Sequence, residues 1–160
     1  MTLMQQILWG SLYLALCLGV ELLALVLGTD AINRALGRFA SRRAALRVGV
    51  VLLVGLGALV VAHTLQAWIW AAAWIAMDAL PDWNTAIYFA IVTYSTLGYG
   101  DIVLGPDLRV FGAFAAVTGI LAFGVSTAYL VAVLTRSLQS GVFGDGADHR
   151  PPARDRTGRG

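Results

Sequence analysis

The sequence predicts an all-α membrane protein with three transmembrane helices and one short re-entrant helix. Of its 160 residues 59% are hydrophobic and only 12% charged, too apolar a balance for a soluble domain of that size. Three apolar runs, at residues 6–28, 48–70 and 110–134, are long enough to cross a hydrocarbon core, which takes roughly 20 helical residues. A fourth run, 83–93, is too short to span but long enough to enter and return.

The run at 6–28 has no basic residues before it and is longer than a secretory leader, so it is expected to stay as the first span, within a segment 1–29. Residues 30–47 carry Arg34, Arg38, Arg42, Arg43 and Arg47. Arg34, Arg38 and Arg42 recur every four residues opposite Ile32, Leu36 and Phe39, the pattern of an amphipathic interfacial helix. The positive-inside rule puts this linker, and the arginines after residue 134, in the cytoplasm. The N-terminus is then outside, the C-terminus inside, and residues 71–108 form an outer segment of a multi-pass plasma-membrane protein. Trp68, Trp70, Trp74 and Trp83 cluster where the second span meets the outer headgroups and are expected in an aromatic belt. Asp82 is placed to cap the short helix. Residues 48–140 thus form one membrane unit, and 141–160, rich in Gly, Pro, Asp and Arg, read as a disordered cytoplasmic tail with no soluble ligand-binding domain.

Every basic residue other than the two histidines is Arg, and the arginines of the linker and tail sit where they set topology, so a nucleic-acid surface is not expected. Cys17 is the only cysteine, so no disulfide forms within the chain; it is read as packing. No Ser/His/Asp, Cys/His or paired-carboxylate set lies in or near a water-filled site, and no cofactor is expected, so an enzyme is disfavoured.

Directly after the short helix stands Tyr94-Ser95-Thr96-Leu97-Gly98-Tyr99-Gly100-Asp101. Irregular backbone at membrane depth is tolerated only where it is buried in protein or lines an aqueous path. Two glycines flanking one residue open dihedrals that let successive carbonyls point the same way. With the apolar helix before it and Gly119-Ile120, Phe123-Gly124 and Ser126-Thr127-Ala128 after it, the stretch resembles the tetrameric potassium-channel superfamily over residues 82–134.

The resemblance implies a fourfold homotetramer in the lipid bilayer, with a selectivity filter Thr96-Leu97-Gly98-Tyr99-Gly100 and K+ as the permeant ion. The carbonyls of Thr96, Leu97, Gly98 and Tyr99, with the Thr96 hydroxyl, would hold dehydrated K+. Leu97 replaces the commoner Val or Ile. Tyr88-Phe89 replace a usual Trp pair, so that Tyr88 would bond Asp101 and the Thr93 hydroxyl would support the filter tyrosine. Gly119 is a hinge or a close-packing glycine, and Ile120, Phe123, Thr127, Val131 and Thr135 would line the cavity and inner entrance. Glu21 and His63 are ionisable residues inside spans and so candidate proton sensors. Counting residues along the spans puts Glu21 towards the inner surface, bonded to linker arginines, and His63 towards the outer, unpaired with it. The first span has no arginine ladder, which implies weak voltage dependence. The alternative function is a non-conducting accessory subunit of another channel.

Overall fold

The computed structural model describes residues 1–38 and 44–142. Four helices follow in order: α1 Leu3–Arg38, α2 Ala44–Ala76, α3 Trp83–Tyr94 and α4 Arg109–Val142. Among the described residues there is no strand. Phe39, Arg42 and Arg43 of the expected linker, and the expected tail from 143 onward, lie outside the described residues. Residues 30–38 are not a separate element but the last turns of α1.

α1, α2 and α4 are each long and apolar enough to cross a membrane. In lipid a helix satisfies every backbone polar group internally, which is why apolar runs of this length take that form. α1 has 36 residues, about 54 Å at 1.5 Å per residue, and so exceeds a ~30 Å hydrocarbon core. α3 starts where the sequence places it. Asp82 sits in extended backbone at φ −156°, and its carboxylate accepts from the Thr85 amide at 3.0 Å and the Thr85 hydroxyl at 2.8 Å. Those bonds, the amide's first, hold the exposed Asp82 carboxyl below its ordinary range.

α1 packs against α2 and α4, and α3 wedges between α2 and α4. Gly10 makes part of this possible, since a Cβ there would overlap the Phe114 ring. Gln6 joins the start of α1 to the start of α4: its Oε1 accepts from the amides of Val110 (3.0 Å) and Phe111 (3.3 Å), and its Nε2 donates to the Pro106 carbonyl (3.3 Å). Two orphan donors of the first turn of α4 are thereby satisfied from α1.

The tryptophans divide, which corrects the expected belt. Trp70 and Trp74 are wholly buried, Trp70 against Phe111 (centroids 5.3 Å) and Trp74 against Phe89 (4.8 Å). Trp68 and Trp83 are half exposed and pair with each other at 5.8 Å. Two residues along a helix turn by about 200°, so Trp68 and Trp70 face opposite sides of α2. α2 is strongly apolar, and its His63 and Gln66, on the same side as Trp70, are the local sign of which face meets protein.

Candidate functional site

The C-terminal end of α3 positions the candidate site. Ser95 caps it by donating its amide to the Ile91 carbonyl at 2.9 Å. The chain then turns back on the helix: the Thr96 amide bonds the Thr93 carbonyl (2.9 Å), and the Leu97 and Gly98 amides share the Val92 carbonyl (3.0 and 3.1 Å). With these amides tied to α3, the backbone alternates. Thr96, Gly98 and Gly100 have φ of +62°, +55° and +79°, while Leu97 and Tyr99 between them do not enter the positive region. In an ordinary strand successive carbonyls point to opposite sides. Reversing the dihedral sense at every second residue turns them towards one side instead. Glycine takes such a φ without penalty, whereas Thr96, being β-branched, is held there against its preference. Leu97 and Tyr99 are exposed in the single chain.

Tyr88 donates its hydroxyl to Asp101 Oδ2 at 2.6 Å, the partner the sequence assigns it. Thr93 acts through its carbonyl; among the described residues of one chain no bond joins its hydroxyl to Tyr99. Gly119 of α4 lies against the end of α3, where a Cβ would overlap the Tyr94 carbonyl. Of the two roles open to it, close packing is therefore the one with a visible cause. Ile120, Thr127, Val131 and Thr135 are exposed on α4. Phe123 is exposed as well, and one side of its ring leans on its own chain, 4.7 Å from the His63 ring and 5.6 Å from Tyr94.

Glu21 and His63 require correction. Among the described residues Glu21 bonds no arginine; it accepts from Gln66 Nε2 at 2.8 Å and from the Ser126 hydroxyl at 2.5 Å. Ser126 in turn lies 3.1 Å from His63 Nε2, so one hydroxyl links the two ionisable residues. The cause is the length of α1: in a helix running Leu3–Arg38, Glu21 falls at the middle, not near an end. Sequence reasoning missed Gln66, Tyr94 and Ser126 as members of this cluster, and Gln6 as a cap. Their signal was present as isolated polar residues in apolar runs, where each must find a partner.

Three helices long and apolar enough to cross a membrane, with a short helix ending in a turn of alternating positive φ, are the make-up of a multi-pass membrane protein. Residues 50–136 match the model of a family described as ion channel, more than half of the chain, and the protein belongs to that ion-channel family. The match begins in α2 and leaves out α1. Comparison with curated proteins and with solved structures finds no match.

Proposed function

We propose that the chain is one subunit of a homotetrameric potassium channel that conducts K+ passively through Thr96-Leu97-Gly98-Tyr99-Gly100. The observation that carries this reading is the alternation of positive φ at Thr96, Gly98 and Gly100, directly after the short helix. One strand of aligned carbonyls cannot replace an ion's hydration shell, whereas four around an axis make stacked oxygen cages. The carbonyls of Thr96, Leu97, Gly98 and Tyr99, with the Thr96 hydroxyl, are the oxygens that receive K+ as cargo. α3 ends at this turn, and the partly negative end of its dipole favours a cation there. Tyr88 and Asp101 brace the outer side. The exposed row Ile120, Thr127, Val131 and Thr135, with Phe123, faces the inner cavity, and a hydrophobic constriction on it closes the path by dewetting.

Flux into liposomes holding only this chain tests the proposal. The expected result is K+ uptake with little Na+ uptake, abolished by Gly98→Ala, whose Cβ is strained at φ +55°. Equal Na+ and K+ uptake would overturn the selectivity. No uptake by the chain alone, with activity appearing only beside another channel's subunits, would identify an accessory subunit instead.

A further inference from the structure

Five side chains drawn from all four helices close a ring of hydrogen bonds between the spans. Gln66 Nε2 donates to Glu21 Oε2 (2.8 Å), and the Tyr94 hydroxyl donates to Gln66 Oε1 (3.0 Å). Tyr94 Oη meets His63 Nδ1 (2.8 Å), His63 Nε2 meets Ser126 Oγ (3.1 Å), and Ser126 Oγ returns to Glu21 Oε1 (2.5 Å). Glu21, Gln66, Tyr94 and Ser126 are each at most 5% exposed. Glu21 comes from α1, His63 and Gln66 from α2, Tyr94 from α3 and Ser126 from α4. Tyr94 is the last residue of α3, immediately before the turn at Ser95 and Thr96.

Counting protons constrains this ring. Each of its five bonds needs one proton lying between its two atoms. Ser126, Tyr94 and the Gln66 amide supply one each, so His63 and Glu21 together must supply two. Two states do so: His63 doubly protonated beside a Glu21 carboxylate, or His63 neutral beside protonated Glu21. They interconvert by a paired shift, Glu21 to Ser126 and Ser126 to His63, with no heavy atom moved. Both leave the pair without net charge. Removing one proton leaves a bond with two acceptors facing each other; adding one leaves two donors facing. The other groups against the ring are Cys17 from α1, buried in the same core, and Phe123 from α4, which does not titrate. Tyr94 only donates or accepts, and its own ionisation is not involved. His63 also borders a largely apolar cavity of about 240 Å³ with Thr64, Trp68 and Ser95.

We infer that Glu21 is a positioning residue for the conducting segment: through this ring α1 holds Tyr94 at the end of α3, and the ring stays closed only while the Glu21 and His63 pair carries no net charge. This rests on reading Thr96 to Gly100 as the conducting segment. Conduction then has a plateau in pH with two independent edges, an alkaline edge from losing the pair's proton and an acid edge from gaining one. Glutamine at either position always offers one proton to the ring and never titrates. Glu21→Gln with neutral His63 closes the ring and leaves only the acid edge. His63→Gln with protonated Glu21 closes it and leaves only the alkaline edge. The double variant removes both.

K+ flux into liposomes across a pH series, for the parent, E21Q, H63Q, E21Q/H63Q and E21L, tests this assignment. The four ring-closing proteins should share the parental plateau and differ only in which edge they keep. E21L leaves the Gln66 Nε2 donor unmet, while Ser126 can still turn to His63, and should conduct about tenfold less at every pH, the factor attached to one unmet buried donor. Both edges persisting in E21Q/H63Q, or E21L conducting like the parent, would overturn the assignment. If the parent conducts no K+ at any pH, the channel reading fails and the ring is still tested by a second readout. The thermal midpoints of the same proteins in detergent should show the same loss of edges, and identical pH profiles for all of them would refute the ring.

Discussion

Tyr88 and Asp101 fasten the far end of the turn to α3 across 13 residues of sequence. The hydroxyl is a second attachment, beyond the amides that the Val92 and Thr93 carbonyls hold at the near end. Tyr88→Phe removes that hydroxyl and no backbone oxygen, so on the proposed function the preference for K+ over Na+ should be unchanged. The outer turn should collapse more readily when few ions are bound, because bound ions favour the ordered form by mass action. Single-channel recordings should show current lost about three- to tenfold faster at low external K+, with recovery at high K+. Identical inactivation in the parent, Tyr88→Phe and Asp101→Asn, across K+ concentrations, would show that the bond does not matter.

The meeting of α3 with α4 depends on Gly119, where the Tyr94 carbonyl occupies the space a side chain would need. Backbone does not yield as a flexible side chain does. Gly119→Ala must therefore push the end of α3 away from α4, at a cost of about 1–3 kcal/mol. A lower thermal midpoint together with reduced K+ flux is the expected outcome, measured on purified protein and in liposomes. If Gly119 were chiefly a hinge, the alanine variant would melt like the parent and only open more slowly. α1 bears on the same region from outside the residues that match the ion-channel family, through Glu21 at the ring and Gln6 at the start of α4.

At the scale of the whole molecule, the single chain leaves Leu97, Tyr99, Ile120 and Val131 more than half exposed. On the proposed function these residues lie near a shared axis or against neighbouring copies, since one chain supplies a quarter of each oxygen cage. Native mass spectrometry in mild detergent should show a tetramer; a dominant dimer would sink the model. From the arginine distribution we propose further that the two termini lie on opposite sides of the membrane, the first outside. A cysteine introduced at Thr2 should react with an impermeant reagent added outside, and labelling from the cytoplasmic side alone would reverse the topology.

Much of this was legible in the sequence because it depends on neighbours along the chain. Apolar length sets the spans, Asp82 caps α3 three residues from Thr85, and glycines two apart permit the alternating backbone after it. What only the tertiary structure decided is how the helices are rotated and how deep each residue sits. Trp70, one turn after buried Gln66, faces protein while Trp68, on the other side of α2, is half exposed; the polar residue marks a face, but what meets that face is set by the other helices. Glu21 meets Ser126 across 105 residues because α1 runs ten residues past Gly28 and so carries the carboxylate to mid-helix. Period and composition describe one helix at a time; a closed ring through four helices exists only once their relative rotation and depth are set.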